Sequence, residues 1–364
     1  MNFTQKLIVA TKKLDIDVNH FHKKSEIKDI AIVGHPGWCG GACTELDHQI
    51  ICWQAMGIKV HICHAEDLTE GYLSLGMESR GCIYHESRDW KSLKDMHVIS
   101  FCSRGFLDNV EEIRKYARTT TFANCMTWTF PQEEEACKKG LIDFFLYQSD
   151  HQLEKVHDKL KGINSNYNPV RFKPYFFAKE FKYEEERDHD FFQFGRLSRE
   201  DPSKFNKKQF WIYDQIKAPL PKKGIILGWR DTIGDKFPEG VPSYIRTLPM
   251  GGMSQGNFYN FADFLIVASD TFENLPRIGF EAMASGSILI VDNRGGWKTL
   301  IEDGKTGCLC DTPDDFVQKA TELAYDEKKR KDIRRAARAK LDKEWGIEAS
   351  MESWDNVFKQ IEKM

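Results

Sequence analysis

The chain has 364 residues and a formal net charge of −3 at pH 7, with 41% hydrophobic and 29% charged residues. This length is typical of two domains, and the balance is ordinary for a globular protein. So small a net charge gives no indication of a nucleic-acid partner, and no apolar run reaches membrane-spanning length. The first residues lack a signal-peptide core, so we expect a cytoplasmic protein, or one in the host cytoplasm if it is viral.

The chain contains ten cysteines, and eight of them precede residue 138. None form a C-x-x-C pair, and the close pairs Cys39/Cys43 and Cys308/Cys310 lack the neighbouring second pair that a zinc site requires. We expect reduced thiols that fill core space, with metal binding as the lesser alternative.

The N-terminal region opens with a β-strand, a glycine-rich loop, a helix and a second strand, predicted at residues 27–33, 34–41, 44–56 and 58–63. Such an opening is typical of nucleotide-binding sheets. The loop is not G-x-G-x-x-G, and no acidic residue ends the second strand, which closes on His61-Ile-Cys-His64. A dinucleotide site is therefore not expected.

Alternating strands and helices continue to residue 160 and predict a parallel α/β sheet. The predicted strands are 96–102, 119–126 and 143–148, and the predicted helices are 107–117 and 151–160. The pattern breaks at the Asn- and Pro-rich segment 162–175 and at the charged run 179–190. We therefore predict domains at 1–175 and 176–345, with a last helix, 346–364, that crosses back to the first domain.

The triplet Asp188-His-Asp190 has the form of a metal-binding D-x-D. It precedes a strand instead of following one and lies in a charged linker, so we predict a solvated linker and no metal requirement.

The second domain begins with a predicted strand at 191–194, followed by Gly195-Arg196 and a lysine-containing loop. Its further predicted strands are 224–228, 244–248, 263–269, 287–292 and 307–310, and its helices are 314–325 and 327–345. The stretch 263–297 reads as strand, loop, helix and strand, with Gly286 ending the helix. Glu273 lies in the loop and Glu281 inside the helix, on either side of free N–H groups that suit a phosphate.

The run E-N-L-P-R-I-G-F-E-A-M-A-S-G resembles the E-x7-E signature of retaining glycosyltransferases of the GT-B fold, family 4 and its relatives. The resemblance is strong over residues 191–310 and weaker over 27–65. It implies an α/β protein with two Rossmann-like parallel-sheet domains that face each other across a cleft. It also implies transfer of a sugar from a nucleotide-sugar donor to an acceptor hydroxyl, with no metal and no cofactor besides the donor.

The family motifs assign roles to individual residues. In the resembling family, a Gly-Arg after the first strand of the second domain and a later lysine grip the donor phosphates. Lys204 comes later in its loop than the family's lysine, so Lys207 and Lys208 stay open as alternatives. The resemblance implies catalytic roles for Glu273, Arg196 and Lys204, and donor binding by Gly40, Gly41, Gly195, Arg196, Met250, Asn274, Leu275 and Glu281. We expect neither Arg196 nor Glu281 to support the core.

Many relatives place a histidine after a strand of the first domain, where it faces the sugar. Here the matching strand ends at Asn124 and Cys125, and His35 is the other histidine near the expected site. Any of the three residues would replace the usual contact. An altered pocket would suit a sugar other than the common hexoses, including a pentose.

The helix 328–340 carries eight basic residues in thirteen and would meet anionic lipid or nucleic acid if those charges were free. One alternative function is therefore a bacteriophage-type DNA glycosyltransferase, glucosyl- or arabinosyl-, acting on hydroxymethylated cytosine. Another is a sugar-nucleotide-binding protein without transfer activity. A saccharide or lipid-type acceptor is the favoured reading.

Overall fold

The computed structural model describes residues 21, 24–34, 41–65 and 81–364. These residues form two compact units. The first unit holds the described residues up to Phe177 together with Glu344–Met364, and the second holds Ala178–Lys343. His35 and Gly40, two residues with predicted site roles, lie outside the described part of the chain.

The first unit is built on a parallel sheet that has seven strands among the described residues, in the order β3-β2-β1-β4-β5-β6-β7. Short runs of β-branched and aromatic residues form its buried centre, as expected for strands covered on both faces. The strands are β1 (Asp29–Val33), β2 (Lys59–Cys63), β3 (Ile83–Tyr84), β4 (His97–Phe101), β5 (Thr119–Ala123), β6 (Phe144–Tyr147) and β7 (Pro169–Arg171).

The helices of the first unit pack on this sheet and close its core. They are α1 (Gly41–Ala55), α2 (Arg104–Ile113), α3 (Pro131–Lys138), α4 (Asp150–Ile163) and, at the end of the chain, α12 (Ile347–Ile361). The last helix packs against the first: the indole of Trp354 meets that of Trp53 edge-on, with ring centroids 4.8 Å apart. Both indoles are fully buried, so α12 supplies core to this unit.

The second unit repeats the architecture with a parallel sheet of six strands in the order β10-β9-β8-β11-β12-β13. The strands are β8 (Phe192–Leu197), β9 (Lys222–Leu227), β10 (Ile245–Leu248), β11 (Phe264–Val267), β12 (Ile288–Asp292) and β13 (Cys308–Cys310). In both sheets the order reverses beside the first strand of the unit. This is the arrangement of doubly wound nucleotide-binding folds.

The helices of the second unit are mostly short. They are α5 (Gln209–Gln215), α6 (Asp231–Gly234), α7 (Gln255–Phe261), α8 (Arg277–Ser285), α9 (Trp297–Leu300), α10 (Pro313–Tyr325) and α11 (Glu327–Trp345), whose last two residues fall in the first unit. Gly286 ends α8 in the left-handed conformation, at φ +81°. A β-carbon there would also lie 2.4 Å from the carbonyl oxygen of Glu184. Both the left-handed backbone and this close approach therefore require glycine.

The basic side chains of α11 are occupied within the protein. Arg334 is buried and donates to the carbonyl oxygen of Gly286 at 2.9 Å. The others lie against acidic side chains or carbonyl oxygens: Lys328 against Asp332, Lys329 against Glu322, Arg330 against Leu323 and Ala324, Lys331 against Glu186 and Glu327, Arg335 against Glu185, Arg338 against Asp342 and Ala284, and Lys340 against Glu302. This helix therefore anchors the linker 183–190 and the end of α8.

The predicted strands within the described residues are all present, with ends displaced by at most three residues. Sequence patterns missed the short strands β3 and β7 and the helices α3, α5, α6, α7 and α9. Residues 162–175, predicted as a break in the pattern, contain β7. The nine described cysteines are free thiols, and seven of them are buried. No described helix is both long and apolar enough to cross a lipid bilayer.

Candidate active site

The strand order of the second sheet reverses between β8 and β11, which lie side by side in the sheet. In doubly wound sheets, ligands bind beyond the carboxyl ends of the strands at such a reversal, because the loops there diverge and leave a crevice. The loop after β8 carries Lys204, and the loop after β11 carries Glu273. Two residues predicted from sequence motifs thus belong to the two loops that border this position.

Lys204 and Glu273 meet directly, although 69 residues separate them in the chain. The ammonium Nζ of Lys204 lies 2.8 Å from Oε1 of Glu273. The side chain of Lys204 is 15% exposed to solvent and that of Glu273 is 21% exposed. Lys207 and Lys208, the alternative lysines, are exposed. The structure therefore favours Lys204 as the lysine of this site.

Arg196 lies beneath this pair and is 1% exposed. Its Nη1 donates to the side-chain oxygen of Gln209 at 2.6 Å and to the carbonyl oxygen of Ala268 at 3.0 Å, and its Nη2 donates to the carbonyl oxygen of Lys204. The guanidinium also lies over the ring of Phe205, and burial lowers its pKa. In this structure Arg196 therefore does not face a phosphate: it holds the loop that presents Lys204.

The longer loop after β8 is itself a folded element. Asp201 caps the 3₁₀ helix Pro202–Lys204 by accepting from the backbone N–H of Ser203. Nζ of Lys236 donates to the carbonyl oxygens of Pro202 and Phe205, each at 2.7 Å. The extra residues that separate Lys204 from Arg196 thus form a supported turn that brings the lysine back to the site.

Two glycines fix the backbone at Glu273. The N–H of Gly296 donates to the carbonyl oxygen of Glu273 at 2.8 Å. A β-carbon on Gly296 would lie 1.3 Å from the carbonyl oxygen of Asn274, and one on Gly295 would lie 2.5 Å from that of Glu273. Only glycines allow this approach, so Asn293-Arg-Gly-Gly296 serves to position the Glu273 loop.

Helix α8 begins directly after this loop, with Pro276 at its N-cap. Asn274 and Leu275 are buried at 6% and 7% exposure. Glu281 lies within the helix and is 5% exposed. Its carboxylate accepts a hydrogen bond of 2.8 Å from the hydroxyl of Tyr259 on α7. The expectation that neither Arg196 nor Glu281 is integrated into the core is therefore wrong, because both side chains are buried and hydrogen-bonded.

The remaining residues with predicted donor roles fall in different settings. Met250 is 50% exposed on the loop after β10, and its N–H donates to a carboxylate oxygen of Glu200 at 2.8 Å. Gly195 lies under α7, where a β-carbon would lie 2.6 Å from the ring of Phe258. The structure thus gives Gly195 a packing role. Gly41 is the exposed first residue of α1.

Asn124, a candidate for the sugar contact, is used inside the first unit. It is 1% exposed, accepts from the N–H of Met126 at 2.7 Å and donates to Glu133 at 2.9 Å. Burial raises the pKa of Glu133 to about 7. Asn124 therefore shapes the turn after β5 and is not presented to a ligand. Cys125, the next residue, is partly buried against the core of this unit.

A cavity of about 200 Å³ lies at the carboxyl ends of β12 and β13. Asp292 lines it and accepts from the N–H of Ser269 at 2.9 Å. Burial raises the pKa of Asp292 from 3.8 to about 6. Within the described residues, no three His, Cys, Asp or Glu side chains converge in a way that would hold a metal ion. The expectation that no metal is needed stays a prediction.

Comparison with known proteins gives matches for the region of the site and for the whole fold. Residues 251–340 match the profile of the family described as Glycosyl transferases group 1. Spore coat protein SA of Bacillus subtilis is 28% identical over 105 residues, 28% of this chain and of that protein. The lipopolysaccharide 1,2-N-acetylglucosaminetransferase of Salmonella typhimurium is 30% identical over 109 residues, 29% of this chain and 27% of that protein.

The crystal structure of the Anabaena protein HepE in complex with UDP and glucose superimposes with a TM-score of 0.69 at 13% identity, covering 93% of this chain and all of that one. The two parallel-sheet units and this likeness define the chain as a GT-B protein, which confirms the predicted fold. The match to the group 1 glycosyl transferases covers residues 251–340. That segment contains both Glu273 and Glu281.

Sequence patterns missed several residues that shape the site. Tyr259 and Gln255 lie on α7, a helix that was not predicted because S-Q-G-N-F-Y-N-F reads as loop. Its one local signal is Ser254, which caps the helix by accepting from the N–H of Asn257. The contact between Glu273 and Gly296 has no local signature, since it joins two loops that are distant in sequence.

We expect Arg196→Ala to destabilise the second unit. The carbonyl oxygen of Ala268 would keep the N–H of Asn206 as a donor at 3.2 Å, whereas that of Lys204 would lose the guanidinium. A buried carbonyl left without a donor costs about 1–3 kcal/mol, so the free energy of unfolding should fall by about that amount. Urea unfolding of the variant, followed by tryptophan fluorescence, measures this. Arg199→Ala, which removes an exposed arginine three residues later, is the matched control. Equal stability of the two variants would contradict the structural role of Arg196.

We expect Asp292→Asn to change how stability depends on pH. Because the folded pKa lies above the unfolded one, the stability that this carboxyl contributes is fully present below pH 3.8 and is lost as pH rises through about 6. Between about pH 5 and about pH 7.5, the wild type should therefore lose about 1–1.5 kcal/mol relative to the variant. Urea unfolding of both proteins at both pH values gives this double difference. A difference independent of pH would show that Asp292 titrates normally.

Proposed function

We propose that the protein is a retaining glycosyltransferase that moves a sugar from a nucleotide-sugar donor to an acceptor hydroxyl. The observation that carries the proposal is the meeting of Lys204 with Glu273 at the strand-order reversal, directly before α8. A cation, a carboxylate and the N-terminus of a helix then lie where doubly wound folds bind phosphates. The group 1 family match over residues 251–340 supports the same reading.

In this proposal the residues divide the donor between them. Lys204 and the N-terminus of α8 bind the diphosphate, Glu273 contacts the sugar, and Glu281 accepts hydrogen bonds from the ribose hydroxyls. Lys204 would exchange its present partner Glu273 for the phosphate, since a diphosphate brings more negative charge than a single carboxylate. Arg196 acts indirectly, by holding the loop of Lys204.

The proposed chemistry is a front-face displacement. The bond from the anomeric carbon to the diphosphate oxygen breaks, and a bond to the acceptor oxygen forms on the same face. The acceptor's proton passes to the departing diphosphate, so no protein nucleophile is needed. Negative charge grows on the leaving group, and Lys204 stabilises that charge more strongly in the transition state than in the ground state. We propose that no metal takes part.

We favour a saccharide or lipid-type acceptor. The Salmonella relative is named as an N-acetylglucosaminetransferase of lipopolysaccharide, which supports a saccharide. The alternative of DNA modification was motivated mainly by helix 328–340, and each of its eight basic side chains has a partner within the protein. Mass spectrometry of nucleosides after incubation with hydroxymethylcytosine DNA tests that alternative.

The kinetic test compares Glu281→Gln with Lys204→Met, with a series of nucleotide sugars as donors. Glu281→Gln should weaken donor binding and raise the donor KM about tenfold or more, because an amide loses charge-assisted bonds to the ribose, which is remote from the reacting carbon. Lys204→Met should lower kcat by about 10²–10³, because it removes a cation from the growing charge.

Lys207→Met is the matched control, since Lys207 is exposed in the same loop and should retain wild-type kinetics. Activity unchanged in Lys204→Met but lost in Lys207→Met would mean that the wrong lysine has been assigned. Donor binding without release of nucleoside diphosphate, whatever the acceptor, would instead identify a binding protein without transfer activity.

A further inference from the structure

Two side chains of α7 face the two carboxylate oxygens of Glu281. The hydroxyl of Tyr259 lies 2.8 Å from Oε2, and Nε2 of Gln255 lies 3.4 Å from Oε1. Gln255 and Tyr259 are four residues apart, so they project from the same face of the helix. Each donor addresses a different oxygen, and together they define the plane of the carboxylate.

The bond from Tyr259 is the stronger of the two. Its hydroxyl has a single hydrogen and two acceptors in range, Glu281 at 2.8 Å and the carbonyl oxygen of Ile278 at 3.3 Å. The shorter contact to a charged acceptor is favoured. Tyr259 is fully buried, and burial together with the neighbouring Glu281 raises its pKa well above the ordinary value. The hydroxyl therefore stays protonated and remains a donor.

Helix α7, which carries these two donors, is fixed by contacts on two sides. On one side, Gly195 of β8 lets the ring of Phe258 pack directly against the strand. On the other side, Nη1 of Arg187 donates to the carbonyl oxygen of Tyr259 at 2.9 Å. The position of the Tyr259 hydroxyl is thus fixed by the sheet and by the linker, independently of Glu281.

We infer that Tyr259, assisted by Gln255, is a positioning residue that orients the Glu281 carboxylate for the two adjacent hydroxyls of the donor's ribose. This inference rests on the proposed function. A carboxylate accepts about four hydrogen bonds, so the bonds from Tyr259 and Gln255 do not by themselves exhaust its capacity. A vicinal diol needs two acceptor oxygens in one plane, and a glutamate held in that plane before the donor arrives loses less conformational freedom on binding.

The test is the steady-state kinetics of Tyr259→Phe with the donor varied. Because only a hydroxyl is removed, the ring packing is kept. The donor KM should rise about tenfold while kcat stays within about twofold, since the ribose is held alike in the ground and transition states. In the Glu281→Gln background the same change should raise KM by less than about twofold, because the oriented carboxylate is already gone.

Two further variants separate positioning from stability. Tyr244→Phe removes a hydroxyl that donates to Asp214 at the amino edge of the same sheet, and it should leave KM and kcat unchanged. Gln255→Leu, at a half-exposed position, should raise KM about threefold, because its contact is longer. If Tyr259→Phe fails to fold, Gln255→Leu decides the matter, and an unchanged KM in that variant overturns the inference.

Several results would contradict the positioning role. Parallel losses of kcat and of donor affinity in Tyr259→Phe, full additivity with Glu281→Gln, or a KM equal to that of the wild type would each overturn it while leaving the proposed function intact. Failure of the wild type to bind or turn over any nucleotide sugar overturns the proposed function, and the positioning role with it.

Discussion

The hydrogen bonds of one buried guanidinium determine where the candidate site forms. Arg196 joins the loop after β8, helix α5 and the end of β11 through Lys204, Gln209 and Ala268. Buried carbonyl oxygens need hydrogen-bond donors. Separating these three segments would therefore break the hydrogen bonds that Arg196 donates to them. The ammonium of Lys204 is thereby held within hydrogen-bonding distance of Glu273. Arg196 resembles a phosphate-binding residue in the sequence. In the structure it supports Lys204, the residue that can bind a phosphate.

Support of this kind recurs through the second unit. Gly295 and Gly296 hold the backbone of Glu273, Lys236 holds the loop of Lys204, and Tyr259 holds Glu281. The basic helix α11 belongs to the same pattern, because its arginines satisfy the end of α8 and the linker before β8. Charges that look available for a partner in the sequence are used to fix the helix that carries Glu281. We conclude that this unit is built to keep a few polar groups at fixed positions.

Features that depend on residues close together in the sequence could be predicted, and features that depend on distant residues could not. Buried strands and long capped helices have local signatures, so β1, β12 and α11 could be placed from the sequence, as could Glu273 and Glu281 on either side of the start of α8. The partners of Arg196 and Asn124 could not, because a motif gives a residue type and a position but not the direction of its side chain. Helix α7 was missed because its seven residues, with one glycine and two asparagines, have weak helix propensity and are stabilised by tertiary packing.

We propose that the nucleotide-sugar donor binds at the reversal of strand order between β8 and β11. A crystal structure with a bound nucleoside diphosphate tests it most directly. We expect the diphosphate to lie at the N-terminus of α8, with Nζ of Lys204 within hydrogen-bonding distance of a phosphate oxygen and with the ribose hydroxyls on Glu281. A nucleotide bound in the cavity beside Asp292, or anywhere that leaves the contact between Lys204 and Glu273 undisturbed, would contradict it.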